Sequence, residues 1–483
     1  MQQNYIVNGY NLDHHQMKLL LNDSNALVIA GAGTGKTLTI LGKVYYLIEK
    51  HNVDPNEILL ISFTNASVND IKNKIKYNVN VLTFHKLAMH ILKKNAINYS
   101  LCNPNFLNYI IIEYLKTCPI YEQKIILKFL NLKMSYKIFL DSKYFKQCCN
   151  IFASFINFYT TNNYNSQKIF SIPYTKKEKE ILTIIFKIYK IYLTEKRSTK
   201  KLDFDDLITL STLYVQKTKL NLKYIIIDEF QDTSLIRLNL IQQITLSENA
   251  KIIVVGDDWQ SIYHFSGCDL NIFLNFSKYF PNVKEIHLLN TYRNSQELIS
   301  IASKFIQKNP NQIKKNLISK KQNSTPIIFV PYTIPSYSLK KTLSHLLNIS
   351  KDILIISRNN NDIFKYLDNE IKFLNGFIIF KNHSIPFLTV HKSKGLEAEY
   401  TVILNCNNDL LGFPNKIENN KIINKLFSKE TIPFAEERRL FYVALTRCKE
   451  KTFILYNKKN PSKFIKELKR IIKSTLGKIP YFK

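Results

Sequence analysis

No apolar run in this 483-residue chain approaches the roughly 18 residues needed to span a bilayer. Stretches such as Tyr224–Ile227 break off after a few positions, so no contact with a membrane is expected. The opening MQQNYIVNGYNLDHHQ has no basic segment followed by an apolar core, so no secretory leader is expected. Cysteine occurs seven times, an odd number with no CxxC pair, which argues against a disulfide framework and against a zinc ribbon. Cys148 and Cys149 are neighbours in the chain and cannot readily bridge each other. A reducing, cytoplasmic setting follows. There is no internal repeat and no linker rich in Pro, Gly or Ser.

Acidic residues are scarce as well: 37 Asp+Glu stand against 68 Lys+Arg, a formal net charge of +31. Such a surplus suits a polyanionic partner, because basic side chains that neutralise phosphates release condensed counterions. The chain is also crowded with Lys, Asn, Ile, Tyr and Phe, a bias that a nucleotide-composition skew in the gene would equally produce. Both explanations stay open, and charge alone carries little of the argument.

Short apolar runs that end in chemically loaded turns organise the chain. Leu27–Ala30 runs into a Gly-rich turn, Ile58–Ser62 into Phe63-Thr-Asn65, Tyr224–Ile227 into Asp228-Glu229, and Lys251–Val255 into Gly256-Asp-Asp258. Ile327–Val330, Ile353–Ser357, Phe387–Val390 and Thr401–Leu404 follow. Continuous runs of this kind suit strands buried on both faces, so an α/β fold with parallel sheets is expected. Residues 90–200 carry helical spacings only, such as Ile181, Ile184, Ile185 and Ile188, and no strand is expected there. The predicted division is a first domain over 1–88 and 200–286, a helical insertion over 89–199, and a second domain over 287–483.

Gly31-Ala-Gly-Thr-Gly-Lys-Thr37 fits GxxxxGK[ST] and stands between a strand and a helix, as a phosphate-cradling loop requires. Its residues Gly31, Ala32, Gly33, Thr34 and Gly35 would wrap backbone N–H groups round the phosphates, with the helix N-terminus adding positive potential. Lys36 would reach the β- and γ-phosphates and Thr37 would place its hydroxyl on Mg²⁺; Thr39 is grouped with them. Such a loop needs a second strand ending in a carboxylate. Asp228 would hold Mg²⁺ through water, and Glu229 would orient and deprotonate the attacking water. Gln260, beyond another buried strand, has the length and chemistry to sense the γ-phosphate. Phosphoryl transfer also needs cations, and Arg293 and Arg447 stand in suggestive places.

The ordered set of motifs resembles the UvrD/Rep branch of superfamily 1 DNA helicases over nearly the whole chain, and within it bacterial helicase IV-like members. The residues that carry the resemblance are Leu12–Gln16, the P-loop, Ser62–Asn65, Thr83–His85, Asp203–Leu207, Asp228–Asp232, Gly256–Phe265, Thr291–Arg293, Val390–Glu397 and Glu436–Arg447. The resemblance implies two RecA-like domains with ATP between them. Gln16 would read the adenine, Tyr292 would stack on it and Glu397 would contact the ribose. Arg293 and Arg447 would be arginine fingers that reach the phosphates only when the cleft closes. Single-stranded DNA would cross both domains over Phe63, Tyr263 and Phe265, with Thr64, Asn65, His85 and His391 touching backbone or coupling the track to ATP. Movement would be 3′→5′.

The chain departs from the larger relatives between Arg293 and His391, where ordinary strand–helix alternation, with a helical run near Asp362–Phe373, fills the interval, so their large inserted domain (2B) is expected to be absent or vestigial. Leu38 also stands where many members carry an Arg beside the nucleotide. The expected function is an ATP- and Mg²⁺-dependent 3′→5′ helicase or translocase in DNA repair or recombination, acting as a monomer on single-stranded and 3′-tailed DNA. Stripping of bound proteins without unwinding, or a DNA-binding module without catalysis, are the alternatives. RNA is not excluded, since stacking and phosphate contacts separate it poorly from DNA. A bacterial member would sit with the nucleoid.

Overall fold

A computed structural model of the chain describes residues 5–416, 422, 425 and 432–482; the predicted first and last domain limits, 1 and 483, lie outside them. A short antiparallel pair, β1 (Ile6–Val7) with β2 (Tyr10–Asn11), precedes the first helix, His14–Leu20. Two large sheets follow. The first has six strands in the order β10-β3-β9-β8-β4-β5, all parallel: β3 (Ala26–Ile29), β4 (Ile58–Ile61), β5 (Asn80–Leu82), β8 (Tyr224–Ile227), β9 (Lys251–Gly256) and β10 (Lys284–His287). Alternation along these strands sends side chains to two separate cores. Ala26 and Val28 join Ile40, Val44 and Leu19 on one face, while Leu27 and Ile29 join Phe84, Leu207 and Ile241 on the other. Both faces are therefore covered by helices, which is why each strand reads as an unbroken apolar run.

Between β5 and β8 the chain is helical, and its longest helices, Lys143–Thr161 and Lys176–Ser198, share a third core with Phe139, Phe152 and Ile185. The expectation of no strand in residues 90–200 needs one correction. Ser100–Leu101 forms β6, paired in parallel with β7 (Lys201–Leu202), a two-residue clip where the insertion leaves and rejoins the sheet domain. Two residues are too few for a periodic signal.

The second sheet has seven strands in the order β11-β17-β16-β12-β15-β14-β13. Five are parallel: β11 (Ile327–Tyr332), β12 (Ile353–Ser357), β15 (His383–Thr389), β16 (Ala398–Ile403) and β17 (Cys448–Asn457). The last two, β13 (Lys372–Leu374) and β14 (Phe377–Phe380), are antiparallel. Here the expected helical run near Asp362–Phe373 is corrected. Asn360–Tyr366 is a 3-10 helix and Lys372 already lies in a strand. The deciding signal is Asn375-Gly376, both at positive φ (+49° and +86°), a two-residue turn that closes the β13–β14 hairpin with Leu374 opposite Phe377. Between β12 and β15 the described chain makes only this 3-10 helix, a short loop and the hairpin.

The helical segment meets the first sheet domain at the end of Lys143–Thr161. Asn162 Nδ2 and Thr161 Oγ1 both donate to the Gly267 carbonyl, at 2.9 and 3.3 Å, and Thr160 Oγ1 donates to Asp205 at 3.3 Å. Gly267 has φ +87°, and a Cβ there would stand 1.9 Å from Thr161 Oγ1. Gly267→Ala is therefore expected to lower the unfolding free energy by about 1–3 kcal/mol in urea titrations, through backbone strain and a forced separation of the two elements. An unchanged midpoint would show that this junction bears no load.

Candidate functional site

The register of the first sheet assembles the site. Ile29 lies opposite Gly256, and Ile61 opposite Ile227, so the loops that leave β3, β8 and β9 emerge side by side at one edge. Those loops carry the P-loop, Asp228-Glu229 and the run to Gln260. Gly35 (φ +76°) caps the helix Lys36–His51, and Thr34 Oγ1 donates to the Gly31 carbonyl to hold the turn. Gly33 (φ +71°) also has no room for a side chain: a Cβ would fall 2.5 Å from that of Arg293. Thr39 is buried and donates to the Gly35 carbonyl, so it supports the loop from behind.

Lys36 Nζ lies 2.5 Å from Glu229 Oε1, and Lys394 Nζ lies 3.7 Å from Glu229 Oε2. Burial works against charge on both lysines, but the surrounding carboxylates outweigh it and raise both amines above their ordinary range. Burial would also raise Glu229, yet Lys36 and Lys394 pull it well below the carboxylate range. Asp228 moves the opposite way. Burial pushes it up, and repulsion from Glu229 adds to this. Two adjacent acids thus differ in character: Glu229 is held low beside two ammonium groups, and Asp228 is pushed up. Glu229 sits at φ +53°, a left-handed conformation uncommon outside glycine, and its N–H donates to Asp228 Oδ1 at 2.9 Å.

From Glu229 the hydrogen bonds run on. Gln231 Nε2 donates to Glu229 Oε2 at 2.5 Å, and Gln231 Oε1 accepts from the Asp257 N–H at 2.9 Å. Gln260 Nε2 donates to Asp257 Oδ2 at 2.6 Å, leaving Gln260 Oε1 to accept from Arg447 Nη2 at 3.0 Å. Arg447 comes from the other sheet. It precedes β17, and Glu397 precedes β16, whose first residue pairs with Cys448, so both stand at the starting edge of that sheet. Arg447 is 1% exposed, and no carboxylate among the described residues pairs with it; it donates instead to the Val443 and Leu396 carbonyls and to Gln260 and Thr446. Burial, then the nearby Arg293, lower its pKa to about 9, which still leaves it a cation at neutral pH. Arg293 Nε bonds Glu397 Oε2 at 2.7 Å, and Lys449 reaches the same carboxylate at 3.1 Å. The structure therefore places Glu397 beside these cations.

The proposed base-reading residues meet at the other end of the P-loop. Asp13 and Gln16 form a capping box in which Gln16 Oε1 accepts from the Asp13 N–H at 2.9 Å. The buried Gln16 Nε2 has no hydrogen-bond partner and lies beside Gly35. Tyr292 donates its N–H to the Gly33 carbonyl and its hydroxyl to Asp13, with its ring edge also beside Gly35. Positive-φ glycines, a fixed lysine, an unpartnered amide donor, an exposed ring and an unpaired guanidinium fit a nucleotide that spans from Gln16 to Arg447. Thr37 and Asp228 present oxygen donors suited to a hard divalent cation.

The proposed track residues fall into two groups. Tyr263, Phe265 and His391 cluster, with Phe265 to His391 at 5.4 Å between ring centres and the Tyr263 hydroxyl on the His391 carbonyl. Lys394 lies over the Tyr263 ring at 5.0 Å and donates to the Gln260 carbonyl, so this cluster adjoins the ATP loop. Phe265 is 43% exposed, while Tyr263 is half-buried. The second group has Phe63 against Phe84 with Arg237 above, and His85 against Phe204. Thr64 caps the helix that Asn65 begins. Burial depresses both histidines, to about 4 for His85 and about 3 for His391, so both are neutral at physiological pH. Residues that sequence reasoning left without a role are Lys394, Asp232, Gln231, Asp257 and Lys315. Lys394 pairs with Asp232, and both lie inside quoted motifs, so their position was visible although their pairing was not.

Residues 12–281 match the family model described as UvrD/REP helicase N-terminal domain, and residues 336–459 the UvrD-like helicase C-terminal domain. DNA helicase IV of Escherichia coli is 28% identical over 95% of this chain and 70% of its own length. An ATP-dependent DNA helicase Rep of Buchnera aphidicola is 27% identical, over 96% and 71%. A probable DNA helicase of Mycoplasma pneumoniae is 26% identical, over 95% and 86%.

Glu229→Gln is expected to retain ATP while turnover falls by about 10²–10⁴-fold, the usual worth of a general base. Lys36→Ala is expected to abolish turnover. Equilibrium nucleotide binding and phosphate release distinguish the two, and loss of ATP binding in Glu229→Gln would refute its role as base.

Proposed function

The chain belongs to the UvrD/REP helicase family, and from that premise we propose that it is an ATP- and Mg²⁺-dependent motor that moves 3′→5′ along single-stranded DNA in repair or recombination. The observation that carries this reading is Arg447, a buried guanidinium from the second sheet, held on Gln260 of the first and unpaired by any described carboxylate. An unpaired buried cation is costly unless an anion arrives. A γ-phosphate between Lys36 and Arg447 supplies that anion, and it does so only when both halves are together. Residues 1–88 and 200–286 then act as the first RecA-like domain (1A), 89–199 as its helical insertion (1B) and 287–483 as the second domain (2A).

In this account Lys36 leaves Glu229 for the phosphates, which frees the Glu229 carboxylate to take a proton from water. Thr37 and Asp228 would hold Mg²⁺, which would supply positive charge to the phosphate oxygens. Arg293 and Arg447 act on the same phosphates from the second domain. Gln16 and Tyr292 grip the adenine, and Glu397 reaches the ribose from the side that also positions Arg293. Phe265, Tyr263 and Phe63 grip bases by stacking, which tolerates any sequence. Thr64, Asn65, His85 and His391 line the path.

A second reading is favoured by one feature, the β13–β14 hairpin that stands where larger relatives carry an inserted domain. A motor without that body moves along a strand and displaces bound proteins with little duplex opening. No helix among the described residues is long and apolar enough to cross a membrane. We take the working form to be a monomer in the cytoplasm.

Strand displacement on duplexes with a 3′ or a 5′ single-stranded tail tests the proposal. Displacement from the 3′-tailed duplex alone is expected, and a preference for the 5′ tail would overturn the direction. ATP turnover without displacement from either would leave the protein-stripping motor in its place. Phe265→Ala is expected to weaken binding of a single-stranded oligonucleotide by about 1–3 kcal/mol, the worth of one stacked base. Unchanged affinity would remove Phe265 from the track.

A further inference from the structure

Lys315 is a fully buried lysine between the helix Gln296–Ile306 and β11, far in sequence from every residue it touches. Its Nζ lies 2.6 Å from Asp257 Oδ1, 2.6 Å from Asp258 Oδ1 and 2.7 Å from the Ala30 carbonyl, the residue that leads into the P-loop. It also stands 4.8 Å over the Trp259 ring. Its neighbours fasten the same loop. Gln312 Nε2 and the Ile313 N–H donate to Asp258 Oδ2 at 3.0 and 2.8 Å, and Trp259 Nε1 donates to the Ile313 carbonyl at 2.9 Å. Leu317 packs against Gly31 and Ala32.

One carboxylate of this group makes two assignments at once. Asp257 Oδ1 takes Lys315, and Asp257 Oδ2 takes the Nε2 of Gln260, which turns Gln260 Oε1 toward Arg447. The amide of a glutamine has a donor end and an acceptor end, and only the acceptor end suits a guanidinium. We propose that Lys315 is a positioning residue for Gln260: by holding Asp257 Oδ1 it leaves Oδ2 to receive Gln260 Nε2, and so dictates which end of the amide faces Arg447. Without the ammonium, the buried carboxyl groups of Asp257 and Asp258 lose the cation they share, and with it the contact that fixes Asp257. Once Asp257 is free to turn, nothing fixes Gln260 Nε2 on its Oδ2, and the amide can turn its N–H groups toward the guanidinium N–H groups. The inference rests on the reading of Gln260 as the group that senses the γ-phosphate.

A double-mutant cycle of K315M and Q260A, read as the kcat of ATP turnover with oligo(dT), tests it. K315M alone is expected to lower kcat by about tenfold or more, since small misplacements at a reacting centre have effects of this size. The KM for ATP should stay near the wild-type value. In the Q260A background K315M should change kcat no further, because it acts through the missing amide. Losses that multiply in the double variant, or wild-type kcat in K315M, would overturn the proposal. If K315M does not fold, K315M/D258N, which leaves a single buried carboxyl, takes its place in the cycle under the same criteria. A wild-type chain whose turnover ignores DNA would overturn the motor reading, and this assignment with it.

Discussion

The cleft depends on one constraint: a set of ionisable side chains withdrawn from water must each be given a partner. Lys36, Lys394, Lys315, Arg447, Glu229, Asp232, Asp257 and Asp258 are all buried or nearly so, and desolvation alone would neutralise several of them. They are accommodated there because each carboxylate meets an ammonium or an amide donor. Removal of one partner from a buried pair typically costs about 3–5 kcal/mol, because the remaining charge is stranded. Arg447 is the member with no carboxylate partner among the described residues, which suits the cleft to the proposed phosphate.

The same network joins the parts that have to move together. Hydrogen bonds run from Lys36 through Glu229, Gln231, Asp257 and Gln260 to Arg447, and so from the first sheet to the second. Lys394 adds a branch. It contacts Asp232, Glu229 and the Gln260 carbonyl on one side and the Tyr263 ring on the other. Tyr263 in turn holds the His391 carbonyl and adjoins the exposed Phe265. A change of charge at the phosphates is therefore only a few bonds from a ring proposed to grip a base. That contiguity, from Gln260 through Lys394 to Tyr263, would give the proposed coupling a short physical carrier.

Much of this was legible in the sequence, for reasons that can be named. Strands buried on both faces are continuous apolar runs, so β3, β4, β8, β9 and β12 stood out, as did the turns they end in. The P-loop and the acids after β8 were found because chemistry places them at strand ends. The β13–β14 hairpin is masked in the sequence although Asn375-Gly376 signals it, because Ile363, Leu367 and Ile371 recur at a helical spacing of four. The β6–β7 clip is too short for any period. Lys315 could not have been singled out, since nothing distinguishes it from the neighbouring Lys314 until the fold carries it to Asp257. The pairings of Lys394 with Asp232 and of Glu397 with Arg293 are long-range contacts, which local patterns do not encode.

The central claim is that ATP turnover is conditional on a nucleic-acid track built into the same cleft. It is tested most directly by steady-state ATP hydrolysis of the intact chain at saturating ATP, with and without single-stranded DNA. The account predicts a rise of about tenfold or more with DNA, within the usual span of coupling between two sites. An equal rate in both conditions would show that the charged network serves hydrolysis alone and that the aromatic cluster pulls on nothing.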